Sequence, residues 1–364
     1  MTRILYFLIL AGIFGCQNLN DELVSESNQI VVTSIRPEVL KENSINKPGV
    51  FLAIADTFLV MVRQNEPMLR IYSSNSNKLL GEFGRKGGGR NDFEAPALIE
   101  FPTGQSSEKP MVAMFDWLKA RVTYIDLLSY FNGSDDFLFH YNFPVQLFGG
   151  LPGGFYTAHK KFMLVGHNSF SKQEEINRFA VLNMETGERE LVPLIPKIDY
   201  PIHESLEEMA YRSFVAYNEE KGLIAAIPNF LGRLDFFNDE LELQFSSVYR
   251  PSEDNIVSLT AGKIEKSAKM VNSLYDYKGG VTDFTSYKDY LFIQTTEDKY
   301  GDSKEGISKI FLRVFNWDGE QLAVFEYKAN INSSIAYDYI HNRLYVYDSS
   351  KDDDNLMMYD LPTF

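Results

Sequence analysis

The stretch TDFTSYKDYLFIQ, residues 282–294, contains two short apolar segments separated by the polar turn Tyr287-Lys288-Asp289. A third apolar segment follows at 310–315, and the turn Asp318-Gly319 leads into a fourth at 321–327. Aromatic and β-branched residues favour strands, and an Asp-Gly turn supplies the left-handed backbone that a tight hairpin needs. This part of the chain therefore predicts four antiparallel strands in sequence order.

The same pattern recurs along the chain, in units that begin near residues 51, 98, 154, 214, 282 and 334. One four-stranded unit cannot bury both of its faces, so repeated units must pack side by side around an axis. The repeat predicts an all-β fold, a six-bladed β-propeller with four-stranded antiparallel blades, over residues 30–364. The chain length also allows seven blades, and a β-sandwich followed by a second all-β domain is the alternative architecture.

The last repeat unit, from Ser334 to Phe364, contains only three clear strands. The segment IVVTSI, residues 30–35, has the composition of a strand and precedes the first unit. We therefore expect this N-terminal strand to close the last blade, because an unclosed ring would leave strand edges open to pairing. Residues 204–218 and 257–274 have the best helical patterns and are expected to lie in loops between strands.

A glycine-rich segment, residues 83–96 (FGRKGGGRNDFEAP), follows the fourth strand of the first unit. Glycines allow the tight path from the outer strand of one blade to the inner strand of the next, and Pro96 presets the entry into that strand. Phe93 is expected to pack between the two blades. The segment resembles the inter-blade signature of NHL-type propellers, and the chain resembles the six-bladed TolB-like and NHL-like propeller lipoproteins of Gram-negative bacteria. That resemblance concerns the fold and implies little about activity.

The N-terminus predicts export. Arg3 precedes an unbroken apolar run at residues 4–14, which is too short to span a bilayer and suits a signal peptide at residues 1–15. Ile13-Phe14-Gly15-Cys16 resembles the lipobox of bacterial lipoproteins, which implies lipidation of Cys16 after cleavage before it. Residues 16–29 are polar and are expected to form a flexible tether. The alternative is an ordinary signal peptide with a coincidental cysteine.

The formal net charge of −15 argues against nucleic acid and anionic lipid headgroups as partners. The resemblance to a lipobox implies a protein of the cell envelope, attached to the outer membrane through its N-terminal lipid and facing the periplasm or the cell surface.

The sequence contains no motif that predicts catalysis. The histidines show no His-Glu-x-x-His pattern, and there is no Gly-x-Ser-x-Gly elbow. His159 and His167 could form a metal pair, but separate strand or turn positions are the favoured interpretation. We therefore predict no cofactor and no metal site, and an enzyme is the less favoured alternative.

Long segments between the predicted strands are the expected binding regions, because propellers usually bind at one face. Residues 131–152 include the aromatic run around Phe139, His140 and Tyr141, which could stack on a sugar or contact a peptide. Asp116 lies where a predicted strand turns and could face the central channel. Packing against a neighbouring blade is the alternative role for the aromatic residues.

These observations give three functional hypotheses. The first is a lipid-anchored propeller that binds a protein or glycan partner through one face, without catalysis. The second, suggested by the resemblance to NHL-type propellers, is a metal-dependent lyase or hydrolase. The third is a structural subunit of an envelope complex, as the resemblance to TolB-like propellers suggests.

Overall fold

A computed structural model provides the structure of the protein. It describes residues 24–26, 31–40, 51–63, 65–99, 110–116, 118–142, 153–156, 161–165, 178–183, 188–193, 198, 201–202, 210–211, 213–249, 278–299, 308–330, 333–348 and 356–364. The predicted signal peptide and Cys16 lie outside these ranges, as does most of the tether.

Strands account for nearly all the regular structure of the described residues. Three short N-terminal strands come first: β1 (Val24–Glu26), β2 (Val32–Ser34) and β3 (Glu38–Val39). The first sheet contains β4 (Phe51–Ala55), β5 (Phe58–Val62), β6 (Leu69–Ser73) and β7 (Leu79–Phe83). The second contains β8 (Pro96–Ile99), β9 (Met111–Asp116), β10 (Arg121–Asp126) and β11 (Leu138–Asn142). The third contains β12 (Gly153–Tyr156), β13 (Lys161–Val165), β14 (Phe179–Asn183) and β15 (Arg189–Val192).

Three further sheets follow in chain order. The fourth contains β16 (Ser213–Asn218), β17 (Leu223–Pro228), β18 (Arg233–Asn238) and β19 (Leu243–Val248). The fifth contains β20 (Lys278–Tyr287), β21 (Tyr290–Lys299), β22 (Ser308–Asn316) and β23 (Gln321–Ala329). The sixth contains β24 (Ser334–Asp338), β25 (Arg343–Tyr347) and β26 (Leu356–Asp360), with β3 as its fourth strand.

From β4 onward, the strands of each sheet form an antiparallel meander in sequence order, and the N-terminal strands β1, β2 and β3 are added at sheet edges. The first strand of each sheet contacts the first strand of the next, and β24 contacts β4. These first strands begin at residues 51, 96, 153, 213, 278 and 334, close to the predicted unit starts. The prediction of an all-β propeller with four-stranded antiparallel blades is confirmed for the described residues.

The tight turns have the backbone that their residue types predict. Gly319 has φ +80° in the Asp318-Gly319 turn, and Asn342 has φ +53° between β24 and β25. Asparagine and glycine tolerate this left-handed region with less strain than most residues, because asparagine can form local hydrogen bonds and glycine has no Cβ. The short turns fix the antiparallel register of each sheet.

The core lies between neighbouring sheets. Trp317, which is fully buried, packs with residues of the fourth and fifth sheets, and Tyr345 packs with residues of the sixth and first. Each fully buried aromatic side chain contributes about 1.5–3 kcal/mol of hydrophobic stabilisation. Packing between sheets therefore stabilises the ring, with no contribution from disulfides, since the chain has one cysteine.

The N-terminal segment closes the last sheet, but with different residues from those predicted. β3 pairs antiparallel with β26 through Val39 and Met357, so residues 38–39 supply the fourth strand. Residues 32–34 pair parallel with β23 at the outer edge of the fifth sheet, and β1 pairs parallel with β19 at the edge of the fourth. The assignment of residues 30–35 to closure was wrong because a run of β-branched residues indicates a strand without specifying its partner.

The helix predictions were wrong where the structure tests them. Residues 213–218, the end of one predicted helix, form strand β16, where pairing with β17 outweighs local helical preference. Residues 257–274 lie outside the described residues. The longest helical segment of the described residues is α1 (Leu127–Phe131), whose N-cap residue Asp126 accepts a hydrogen bond from the backbone N–H of Ser129.

None of the helical segments in the described ranges is both long enough and apolar enough to cross a bilayer.

Candidate functional site

One end of the second sheet gathers the candidate functional residues. Pro96, Asp116, Arg121 and Asn142 stand opposite one another in the registers of β8, β9, β10 and β11. The connection that arrives from the first sheet, residues 84–95, reaches the second sheet at this end. The turn between β9 and β10 lies at the same end, because neighbouring strands are antiparallel.

The glycine-rich connection follows the path that the sequence predicted. Gly84 has φ +89° directly after β7, and Phe93 is fully buried among residues of the first and second sheets. A Cβ on Gly89 would lie 2.5 Å from Oδ2 of Asp92, the oxygen that accepts the Gly89 N–H at 2.9 Å. Glycine at this position therefore allows Asp92 to fold back over the loop. The roles predicted for this segment and for Phe93 are confirmed.

Two cations, Lys119 of the β9–β10 turn and Arg121 at the start of β10, fix this loop through its carbonyl oxygens. Lys119 Nζ donates to the carbonyl oxygens of Gly89, at 3.0 Å, and Asp92, at 2.7 Å. Arg121 donates to the carbonyl oxygens of Arg90, at 2.5 Å, and Asp92, at 2.6 Å. The guanidinium also lies 5.5 Å from the ring centre of Phe93, within cation–π range. The loop is therefore held at a defined distance from the second sheet.

A cavity of about 490 Å³ lies between this loop and the end of the sheet. We call it the rim pocket, and it is lined by Gly88, Gly89, Arg90, Glu94, Lys119, Arg121, His140 and Asn142. Its volume falls within the roughly 300–1,000 Å³ typical of small-molecule sites. Every lining residue other than glycine is charged or able to form hydrogen bonds.

His140 projects toward the rim pocket from the outer strand β11. Its Nε2 lies 3.3 Å from Oδ1 of Asn91, and its Nδ1 lies 3.0 Å from the hydroxyl of Thr123. An acceptor at Asn91 requires the proton on Nε2, so Nδ1 accepts from Thr123. Burial and the positive charges of Arg121, Arg90 and Lys119 lower the pKa of His140 to about 4. The imidazole is therefore neutral at pH 7 and experiences a positive potential.

This pKa predicts a contribution to pH-dependent stability. Unfolded histidine has its ordinary pKa of 6.5, so between about pH 6.5 and 4 the unfolded chain binds a proton that folded His140 does not. His140 should therefore destabilise the fold progressively as the pH falls through this range and have no such effect above it. We expect His140→Gln to lose less stability than the wild type between pH 7 and 4 in urea unfolding. Equal losses, or an NMR titration midpoint of His140 near 6.5, would contradict the prediction.

Asp116 does not face an open channel. Its side chain is 1% exposed, and its two carboxylate oxygens accept the backbone N–H groups of Glu94, at 2.7 Å, and Ala95, at 3.2 Å. The carboxylate therefore anchors the end of the glycine-rich connection to β9. Asp116 therefore positions Glu94, which lines the rim pocket, and does not have the channel-facing role that was expected.

Phe139 and Tyr141 were predicted to act together with His140, but they lie on the opposite face of the sheet. Residues 138–142 form strand β11, so successive side chains alternate between faces. Phe139 is 47% exposed, and Tyr141 is 44% exposed with its ring edge-on to Tyr124. The interpretation of residues 131–152 as an inserted binding loop was wrong for this part, which pairs with β10 throughout. Residues 143–152 lie outside the described ranges.

Sequence reasoning missed the cationic lining of the pocket, namely Arg90, Lys119 and Arg121. The signal was present, because a chain of net charge −15 places the three cations Arg85, Lys86 and Arg90 within six residues. The glycines of that segment were interpreted only as a connection between blades.

The predictions about the remaining histidines and a metal ion are not tested by the rim pocket. His159, His167 and His203 lie outside the described ranges, while His341 lies 2.7 Å from Asp338 between β24 and β25. Within the described ranges, no three His, Cys, Asp or Glu side chains are grouped so that they could hold a metal ion. The metal-dependent alternative therefore stays a prediction.

Comparison with known proteins identifies the fold. No protein-family model and no curated protein sequence matches the chain. A DUF4221 family member from Bacteroides vulgatus has a similar structure, with TM-score 0.56, 12% identity, and coverage of 92% of this chain and 98% of the other. A protein assigned as exported, from Bacteroides fragilis, gives TM-score 0.54, 11% identity, and coverage of 92% and 98%.

An auxiliary nutrient binding protein from Bacteroides thetaiotaomicron has a weaker similarity, with TM-score 0.45, 10% identity, and coverage of 91% of this chain and 76% of the other. At these identities, the two stronger similarities show a shared fold over nearly the whole chain and do not show a shared activity.

Proposed function

We propose that the protein is a lipid-anchored β-propeller of the cell envelope that binds a protein or glycan partner through one propeller face. The observation that carries this proposal is the rim pocket, a polar cavity bounded by the inter-blade connection, the β9–β10 turn and the end of β11. Propellers commonly bind at the end where such connections lie. The pocket contains His140, which the sequence had already singled out.

The architecture we propose with this function is six-bladed, with each of the six sheets in the described residues acting as one blade. The ring of contacts among β4, β8, β12, β16, β20 and β24 supports this count. In the sixth blade, β3 from the N-terminal segment pairs with β26, the last strand of the chain, and so closes the ring.

The binding part of the proposal is tested by screening the purified full-length protein on a glycan array and in pull-downs from envelope extracts. Reproducible binding to a glycan or to one envelope protein is the expected result. Substitutions in the rim pocket should reduce that binding, whereas substitutions on exposed residues of the opposite sheet face, such as Phe139, should not. Absence of binding in both screens would overturn the proposal.

If Cys16 carries the lipid, replacing it should release the protein from the membrane. Export is supported by the apolar run at residues 4–14 and by the lipobox-like residues that follow it. We expect wild-type protein in the membrane fraction and Cys16→Ser predominantly in the soluble fraction, because serine lacks the thiol that carries the lipid. Gln17→Ser, one residue along, is the matched control and should remain in the membrane fraction. Continued membrane association of Cys16→Ser would contradict lipid anchoring.

A further inference from the structure

The rim pocket concentrates positive charge in an acidic protein. Among the described lining residues, Arg90, Lys119 and Arg121 are cationic, and Glu94 is the one carboxylate. The chain as a whole has a formal net charge of −15. A local cluster of opposite sign attracts anions and repels cations from one defined site.

The cations of the pocket are bound mainly by neutral acceptors. Lys119 and Arg121 donate to backbone carbonyl oxygens, which leave the positive charges intact. Asp116 and Asp92 lie near Arg121 and offset part of its charge, and both carboxylates also accept backbone N–H groups. At His140, however, the charges that act on the imidazole are those of Arg121, Arg90 and Lys119, so this part of the pocket presents a positive potential to a ligand.

Arg90 retains donor capacity, whereas Arg121 contributes charge. Arg121 is 5% exposed, and its Nε, which has no hydrogen-bond partner within the described ranges, is itself buried. The Arg90 side chain is exposed, and the described part of the chain offers it no ion pair or hydrogen bond. Guanidinium groups bind carboxylate, sulfate and phosphate through charge-assisted hydrogen bonds, which are the stronger kind.

The remaining lining indicates a ligand that carries hydroxyl groups as well as a negative charge. Glu94 is an acceptor and Asn142 is both a donor and an acceptor, and the described lining residues include no aliphatic, Phe, Tyr or Trp side chain. Peptide partners usually insert apolar or aromatic anchors into their binding sites, for which this lining offers no match. Sugar hydroxyls match it well.

We infer that the rim pocket binds an anionic saccharide, with the carboxylate or sulfate group held between Arg90, Lys119 and Arg121 and the hydroxyl groups facing Glu94 and Asn142. This inference rests on the proposed function and names the ligand class for the same face. Arg90 supplies affinity without holding the loop in place, because its side chain forms no hydrogen bond or ion pair with a described residue.

The inference is tested by NMR titration of the full-length protein, following the His140 ring signal, with D-glucuronate, glucose 6-sulfate, glucose and the dipeptide Glu-Glu. We expect one or both anionic sugars to shift the signal, and the tighter of the two identifies the anionic group. Glucose and the dipeptide should bind at least tenfold more weakly. Arg90→Gln should weaken binding of the anionic sugar by at least tenfold.

Arg85→Gln is the matched control for Arg90→Gln. Arg85 lies on the same loop, its side chain is 83% exposed, and it does not line the pocket; its contact with Asp92 Oδ1 is long, at 3.8 Å. This variant therefore removes the same charge outside the site. The affinity of Arg85→Gln for the anionic sugar should stay within about twofold of the wild type, since exposed charges are screened over roughly 8–10 Å. Equal losses in the two variants would show long-range attraction rather than a site and would overturn the inference.

Failure of this inference can be separated from failure of the proposed function. If neutral glycans bind on the array while neither anionic sugar shifts His140, the anionic-saccharide inference is wrong and the proposed function stands. Tighter binding of Glu-Glu than of both sugars would also overturn the saccharide assignment. If the array and the pull-downs both show no binding, the proposed function itself is wrong.

Discussion

Asp235→Asn should lower the free energy of unfolding by about 3–5 kcal/mol, the range typical for removing one partner of a buried ion pair. Asp235 is fully buried between two arginines, with Oδ2 2.6 Å from Nη1 of Arg178 and Oδ1 2.7 Å from Nε of Arg233. The hydroxyl of Ser246 donates to Oδ1 at 2.7 Å. Asparagine has nearly the same shape but no charge, so both guanidinium groups would remain buried without compensation.

The ionised state of Asp235 is itself a result of this arrangement. Burial tends to raise its pKa, but the two guanidinium groups and Ser246 hold the pKa below its ordinary value. Arg178 precedes β14 and Asp235 lies in β18, so the cluster joins the third and fourth sheets. Loss of the charge should therefore weaken packing between these sheets.

Equilibrium urea unfolding measures this effect, with Asp360→Asn as the matched control. Asp360 accepts a hydrogen bond from Arg343 at 2.8 Å, but its side chain is 72% exposed. Exposed ion pairs contribute about 0–1 kcal/mol, so the control should change stability by no more than that. Similar small changes in both variants would show that the buried cluster does not stabilise the ring.

Asp116→Ala should lower the free energy of unfolding by about 3 kcal/mol, because it removes two hydrogen bonds to a charged acceptor and leaves buried donors unsatisfied. The donors are the backbone N–H groups of Glu94 and Ala95, at the end of the glycine-rich connection. The variant should also weaken ligand binding, because Glu94 lines the rim pocket.

Asp136→Ala is the control, since Asp136 is exposed on the connection that precedes β11. Exposed substitutions away from special features usually change stability by about 0.5 kcal/mol or less. Urea unfolding and the sugar titration measure both effects. Unchanged stability in Asp116→Ala would show that the carboxylate does not anchor the connection.

The repeat could be predicted because it depends on local patterns. Alternating apolar residues and turns such as Asp318-Gly319 specify hairpins wherever they occur, so the start of each sheet was predicted within a few residues. The identity of the closing strand could not be predicted in the same way. Residues 32–34 and 38–39 are both short strands, and only their positions in the folded ring decide which sheet each joins.

The candidate site was predicted only in part, because its geometry depends on contacts between distant residues. His140 was identified through its aromatic neighbours, although those neighbours face the other side of β11. The cations that surround His140 come from the connection before β8, the turn before β10 and the first position of β10, 19 to 50 residues earlier in the chain. Their convergence follows from the register of the second sheet, which a strand pattern does not supply.

The central claim is that the rim pocket of the second sheet is where this protein holds its ligand. A crystal structure of the full-length protein bound to the tighter of the two anionic sugars tests that claim most directly. We predict that the carboxylate or sulfate group lies within hydrogen-bond distance of Arg90 and Lys119, with His140 beside the sugar ring. A sugar bound at another place on the propeller, with the rim pocket unoccupied, would contradict the claim.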